Sequence, residues 1–432
     1  MVKAPELEGR VMPNAGSPTD PWAQVAMLVR LIRTGEAQTR PELAEATGLG
    51  RNVITLRVQA AEAIGLIRAS GAARSRGGRA ADIWEFTGVH HHVLVATVDE
   101  DGFRVVLANL DLTPLGESSV EWTLSDDTAR TCERMAAQME TLISDHRSPT
   151  IWGIGLGMPA PVDVTTGRSR DPVIAGAKGI RWPRTFDIRR WFIDRMKVPV
   201  WVDSVSNLAA LGAASEPEAP ADLVFVRLGN GVGSGIVSNG GLHRGADSLA
   251  GEITHIVVSD DARRLCLCGR SGCVDAFAGS WAIEAEARRA VAQGRSPFLA
   301  ARAEDGLGLA VVVAGAESGD IACAEIVHSA AEALGRGLAT VVTWFNPRRV
   351  VVAGNDLASS PLFRHILTRT LQSQALSACI EHLELRIGPG QAAEVVGGLS
   401  LVRDALLAPS HLAAWAPTGS PADFGAAVLA IG

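Results

Sequence analysis

The chain has 432 residues, is 47% hydrophobic and 20% charged, and carries a formal net charge of −7. These values describe a globular protein of two or three domains, and no apolar run reaches the roughly 18–20 residues that a membrane span needs. Residues 1–20, with Pro5, Glu6, Glu8 and Pro13, lack the apolar stretch of a secretory signal and read as a flexible lead-in to a cytoplasmic protein.

Trp22–Arg33 places Val25, Leu28, Val29 and Ile32 at helical spacing. Thr39 then reads as an N-cap, with Pro41 and Glu42 suited to a first turn. This helix stops at Gly48-Leu49-Gly50, and a second helix, Arg51 to Ile64, offers Val53, Ile54, Val58 and Ala61 to a core. Two short helices on a glycine-containing turn make a helix–turn–helix pattern. A hairpin follows, with a basic, glycine-rich tip at Arg74-Ser-Arg76-Gly-Gly-Arg79, closed by Ile83-Trp84-Glu85-Phe86. Residues 21–87 therefore read as a winged helix–turn–helix. From Arg51 to Arg79 there are six arginines against the single acid Glu62, a local charge of +5 in an acidic chain. That asymmetry favours an anionic partner, double-stranded operator DNA. Arg51, Asn52, Thr55 and Arg57 would face the major groove, and the wing arginines Arg74, Arg76 and Arg79 the backbone or minor groove. A small helical interaction domain with a solvated basic loop is the plain alternative.

From Val89 onward, strands and helices alternate, which argues for α/β lobes. Val93–Thr97 and Phe103–Asn109 read as a hairpin, Ala129–Asp145 as a helix, and Ile151–Leu156 and Val198–Val202 as buried strands. Three clusters carry chemistry. Leu228-Gly-Asn-Gly-Val-Gly-Ser-Gly235 is either a turn whose amides face a phosphate or a plain tight hairpin. Glu252 and His255 lie three residues apart, where a carboxylate and an imidazole suit a polyhydroxylated ligand. Cys266, Cys268 and Cys273 crowd one short loop with two glycines. With His255 they suit a structural, tetrahedral Zn2+ site, four protein ligands leaving no open position. Buried thiols or a disulfide pair are the alternatives. Cys132, Cys323 and Cys379 are scattered, as buried thiols in a reducing compartment would be.

Taken together, these clusters resemble the ROK family (repressors, open reading frames and kinases) over about residues 22–405. The Ser75–Arg79 wing resembles the repressor branch, which includes N-acetylglucosamine and xylose repressors. Gly155-Leu-Gly-Met-Pro-Ala-Pro-Val-Asp163 resembles the family's Gly-x-Gly-x-Pro-Gly-Pro-Val-Asp. Leu242-His-Arg-Gly-Ala and Ala250-Gly-Glu-Ile-Thr-His255 resemble the stretch leading to its sugar-contacting Glu and His. Cys266–Cys273 matches its Cys-x-Cys-Gly-x-x-Gly-Cys zinc signature, and Asn346-Pro347 and Val351-Val-Ala-Gly354 resemble late elements of the family.

The resemblance implies a two-lobed sugar-kinase-like fold of the actin/hexokinase type, ribonuclease H-like in each lobe. Lobe 1 would span 88–202, completed by a C-terminal helix at about 410–432, and lobe 2 with the zinc site would span 203–409. Two departures imply a dead kinase. The family's phosphate-binding Asp-x-Gly-x-Thr aligns with Thr97-Val-Asp99-Glu-Asp101, so no ATP is expected. Its Glu-Asn-Asp-x-Asn aligns with Asp203-Ser204-Val205-Ser206-Asn207, which puts Val205 at the general-base position; such a base is typically worth about 10²–10⁴-fold. Asn207, Glu252, His255 and Asp275 would contact a ligand, with Ser204 and Asp275 each shorter than the family residue they replace. The expectation is a DNA-binding regulator, a repressor by the resemblance, acting as a homodimer or homotetramer in carbohydrate metabolism or transport. Its inactive kinase-like domain would sense a sugar or sugar derivative. The alternatives are a regulator whose kinase-like domain only dimerises or binds a protein partner, and an active ATP-dependent sugar kinase.

Overall fold

A computed structural model of the chain describes residues 19–72, 82–99, 102–122, 128–147, 150–170, 185–304, 306–389 and 393–423. Arg74, Arg76, Arg79, Glu100 and Asp101 lie outside the described residues. The chain divides into two compact units, one formed by residues 1–90 with 405–431 and the other by 91–404.

The first unit opens with α1 (Pro21–Thr34), which the Asp20 carboxylate caps by accepting from the Ala23 N–H at 2.7 Å and which ends at Gly35 with φ 74°. In α2 (Arg40–Thr47), Thr39 and Glu42 form a reciprocal capping box, satisfying donors that the helix itself cannot. Gly48, at φ 70°, turns the chain toward α3 (Arg51–Ala63). Antiparallel strands β1 (Ile67–Ala72) and β2 (Asp82–Phe86) follow, and β2 also bridges back from Ile83 to Thr39. Val25, Leu28, Val29, Ile32, Leu43, Ile54, Val58 and Ala61 close a core; Val53 is only half-buried. A C-terminal helix, Pro409–Trp415, packs on α1 and buries Leu412 and Trp415.

The second unit holds two five-stranded sheets of the same topology. The first comprises β3 (His92–Asp99), β4 (Gly102–Asn109), β5 (Pro114–Glu121), β6 (Ile151–Met158) and β9 (Val200–Ser204), in the order β5-β4-β3-β6-β9. Its first three strands form an antiparallel meander, and β6 and β9 run parallel to β3. The short β7 (Val162–Asp163) and β8 (Arg168–Ser169) form a ribbon beyond β6. Helices α4 (Thr128–Asp145) and α5 (Ile188–Met196) share a core with one face, around Leu94, Leu107, Met135, Ile154, Leu156 and Phe192. After β9 comes α6 (Val205–Ala214). The second sheet comprises β10 (Leu223–Leu228), β11 (Val232–Ser238), β12 (Gly241–His243), β13 (Arg349–Gly354) and β14 (Glu384–Pro389), in the order β12-β11-β10-β13-β14. Its first three strands are antiparallel and the last two parallel to β10. The helices of this lobe are α7 (Asp275–Ala278), α8 (Ser280–Ala292), α9 (Pro297–Ala300), α10 (Leu309–Glu317), α11 (Ile321–Phe345), α12 (Pro361–Gln374) and α13 (Ser377–Ile380). Their buried face surrounds Val226, Ile283, Val312, Leu334, Leu338 and Phe363.

The last helix of the unit, α14 (Ala393–Leu406), returns to the first sheet. Strand side chains alternate faces, so Gly153, Gly155 and Gly157 leave one face of β6 bare while Ile154, Leu156 and Met158 fill the other. A Cβ on Gly155 would stand 2.9 Å from Val402 Cγ2, and one on Gly157 2.8 Å from Leu208 Cδ1, so α14 and α6 lie directly on the strand. This corrects two expectations. The helix that completes lobe 1 is α14, within the segment assigned to lobe 2, and the described part of 410–432 packs on α1 instead. No described helix is long and apolar enough to cross a membrane.

Candidate functional site

Thr97, Gly157 and Asp203 stand in register across β3, β6 and β9, at the carboxyl end of the first sheet. There α6 begins, its Ser204 hydroxyl capping the Asn207 N–H at 3.1 Å. Asp203 is 1% exposed. Its Oδ1 accepts from the Asn207 side-chain amide at 2.7 Å and the Ser204 N–H at 2.8 Å, and its Oδ2 from the Arg244 guanidinium at 2.8 and 2.9 Å. Arg244 follows β12, so this ion pair ties the second lobe to the first. The Asn207 carbonyl is buried without a partner among the described residues. Val205 is buried, and it crowds Gly157 together with Thr97 and Leu208. Val205 thus presents a packed methyl, and the acid two residues away accepts from four donors.

Two further pairs join the lobes. The Arg227 guanidinium, at the end of β10, donates to Asp99 at the end of β3. Arg170 lies 3.2 Å from Asp163 and 3.7 Å from Asp247. The glycine-rich segment forms a tight hairpin, with Leu228 opposite Val232 and the Gly229 N–H donating to Gly231 O at 2.9 Å. Its later glycines serve packing: Cβ atoms on Gly233 and Gly235 would meet Ser206 Oγ at 2.2 Å and Ser206 O at 2.6 Å.

Asp275, expected at the ligand, is buried. Its Oδ1 accepts from the Val232 N–H at 2.9 Å and its Oδ2 from the Trp281 indole at 3.0 Å. Burial pushes its carboxyl up to about 6, against the pull of those two donors. A side chain one methylene shorter than glutamate reaches only the hairpin and α8, so it braces them. Glu252 is exposed, and Gly251, at φ 96°, holds its loop against Ser234.

His255, Cys266, Cys268 and Cys273 are brought together, their ligand atoms all within 4.8 Å of one another. Cys266 Sγ lies 3.6 Å from His255 Nδ1, and Cys268 Sγ 3.7 Å from Cys273 Sγ. Donors at 2.0–2.3 Å around a tetrahedral ion stand about 3.4–3.8 Å apart, so this spacing fits a metal. None of the six cysteines is in a disulfide. Gly269 and Gly272, at φ 87° and 77°, form the turns that fold the loop back on itself. A Cβ on Gly272 would fall 1.7 Å from Ser259 O, so only glycine fits there. Burial pushes the Cys266 and Cys273 thiols up, which a dication would reverse.

On α3, Arg51 and Asn52 are exposed, as expected. Arg57 is half-buried, and its Nε donates to Gln24 Oε1 on α1 at 2.8 Å. Thr55 is half-buried and its hydroxyl donates to Arg51 O at 3.0 Å. Arg68 pairs with Glu85, which trims the basic island. The outward positions that the sequence reading missed are Leu56, 57% exposed, and Gln59. Counting i+4 and i+7 from Asn52 would have found both.

A family model described as ROK family matches residues 101–405. The chain is 29% identical over 317 residues to a glucokinase of Halalkalibacterium halodurans, covering 71% of this chain and 94% of that one. It is 25% identical over 398 residues to the DNA-binding transcriptional dual regulator NagC of Escherichia coli, covering 88% and 92%. The crystal structure of a ROK family transcriptional regulator, a homolog of the E. coli MLC protein, superposes with a TM-score of 0.76 at 19% identity, covering 91% of this chain and 98% of that one. The likeness is one of fold. By the span of that family match, the chain belongs to the ROK family.

Proposed function

We propose that this chain is a DNA-binding transcription regulator of carbohydrate metabolism whose kinase-like unit senses a sugar or sugar derivative without phosphorylating it. The observation that carries the reading is Val205, packed and unable to accept a proton, beside an Asp203 locked by Arg244. The glucokinase relative has a counterpart for 71% of the chain, whereas NagC covers 88%. What the longer relative adds is consistent with the first unit, where α2, a glycine turn, α3 and a two-stranded hairpin read as a winged helix–turn–helix. His255, Cys266, Cys268 and Cys273 would hold one structural Zn2+, which pins the loop that carries Glu252. The protein would be a cytoplasmic homodimer or homotetramer on operator DNA, its sugar altering operator affinity by favouring one arrangement over another.

The test combines a coupled ADP assay with a thermal-shift screen of mono- and oligosaccharides on the full chain. Expected are no sugar-dependent ADP release and at least one sugar that both stabilises the protein and changes operator binding. A sugar at about a hundred times its Kd should add about 2.7 kcal/mol. Glu252→Ala should lose that shift while keeping its metal. ADP release above the blank would restore the sugar-kinase reading. The internal engagement of Asp275 and the Asp203–Arg244 pair favour a second reading, in which the kinase-like unit only dimerises or binds a protein; a screen with no stabilising sugar would select it.

A further inference from the structure

We propose that the base-reading surface of α3 is Asn52, Leu56 and Gln59, with Leu56 packing on a thymine methyl and the two amides taking adenines beside it. The proposal rests on the DNA-binding reading and names what that helix reads. An isolated exposed leucine is ordinary; the position of this one gives it meaning. At 3.6 residues per turn, Ile54, Val58 and Ala61 share one arc of α3, and all three are fully buried. Asn52, Leu56 and Gln59 cluster within about 60° of arc on the opposite side. Leu56 is 57% exposed and lies between the two exposed amides along the helix axis, at one edge of that arc, with Arg51 one position before Asn52. The first two turns hold no acid, and Glu62 comes only in the last turn. Both flanking positions are half-buried and make contacts inside the unit, Thr55 through its hydroxyl on Arg51 O and Arg57 through its Nε on Gln24.

Chemistry fixes the partner. Asn and Gln carboxamides pair in bidentate fashion with adenine N6 and N7, and an aliphatic side chain fits the C5-methyl of thymine, both in the major groove. Seven residues advance about 10 Å along a helix, roughly three base-pair steps of 3.4 Å. Asn52, Leu56 and Gln59 therefore span one short A·T-containing stretch. A leucine would gain nothing opposite guanine or cytosine, whose major-groove edges are polar.

The experiment begins by enriching a randomised duplex pool with the full-length chain and with Leu56→Ala, Leu56→Ser and Gln59→Ala variants. Each thymine of the enriched half-site is then replaced by deoxyuracil, which removes only the methyl. Binding is read by fluorescence anisotropy on enriched and scrambled duplexes. Expected is one thymine whose replacement weakens wild type about fourfold, the factor one buried methyl is worth, and leaves both Leu56 variants unmoved. Those variants should keep wild-type affinity for the scrambled duplex and wild-type melting. Gln59→Ala should relax preference at a neighbouring A·T pair. If no uracil position matters to wild type, or if wild type and the Leu56 variants respond equally, the proposal fails while DNA binding stands. If wild type enriches no sequence, the DNA-binding reading falls and this proposal with it.

Discussion

At Asp203 four donors meet one carboxylate that is almost wholly removed from water. Removing one member of such a pair is costly because the remaining charge stays buried. Arg244→Ala should therefore destabilise the second unit by about 2–3 kcal/mol, less than a fully buried pair because the Arg244 side chain is 29% exposed. Asp203→Asn added to Arg244→Ala should recover most of that loss, since the charge is gone. Urea unfolding with hydrogen exchange on β9 and α6 reads both; a double variant no more stable than Arg244→Ala would show that the charge is not the cause. The same scale shows what the sequence carried. The thiols at 266, 268 and 273 lie on one local loop, and local spacing is legible. The Arg57 contact to Gln24 was not legible, because it is set by tertiary packing: Arg57 lies about 60° from Ile54, close to the buried arc, where its Nε meets Gln24. Asp275 misled because its partners, Val232 and Trp281, are set by tertiary packing.

Elements meet in this protein through glycines. Where α6 and α14 cross, a Cβ on Gly212 would lie 2.0 Å from Ala393 O, and one on Gly397 1.7 Å from Leu208 O. Neither backbone can yield without separating the helices. Gly397→Ala should thus cost about 1–3 kcal/mol by overpacking, despite the better helix propensity of alanine. Differential scanning calorimetry tests this, and an unchanged or raised Tm would refute it. The alternating glycines of β6 were visible in the sequence, but their partner was not. Nothing local to residues 393–406 says that their helix crosses back to the first sheet, so α14 was assigned to the wrong lobe. The strand β5 was also missed, because its half-exposed polar alternation resembles a loop. In the second lobe, the loop from Gly251 to Cys273 exposes Val257, Leu265 and Leu267 while Ile253, Cys266 and Cys273 are buried, so a metal on the proposed constellation would add to a small core. Elemental analysis should find about one zinc per chain. A strong chelator at neutral pH should lower the Tm and make all three loop thiols reactive. Cys268→Ser, at the exposed ligand, should reproduce the effect. Full thiol reactivity in untreated protein, with no zinc, would remove the metal from the account.

Over the whole molecule the chain leaves the first unit near residue 90, builds both kinase-like lobes, and returns to the first unit at residue 405. That return was not legible, because a short apolar helix after α14 could equally have covered a sheet. The contacts decide it. Leu412 is fully buried, Trp415 is 1% exposed with its indole donating to Leu406 O at 2.9 Å, and the helix packs on α1. α1 in turn carries Gln24, which holds Arg57 of α3. The C-terminal helix is therefore part of the framework on which α3 is mounted. Deleting residues 409–432 should expose the α1 surface that Leu412 and Trp415 cover. Burying two such side chains is worth about 3–6 kcal/mol, and a unit of this size has little stability to spare. In the truncated chain, hydrogen exchange should quicken in α1 and α3, while β10 and β13 keep their protection. Duplex binding should weaken, and the zinc content should stay at its full-length value. If α1 and α3 exchange as slowly without residues 409–432 as with them, the helix is a passive appendage and the first unit stands on residues 19–90 alone.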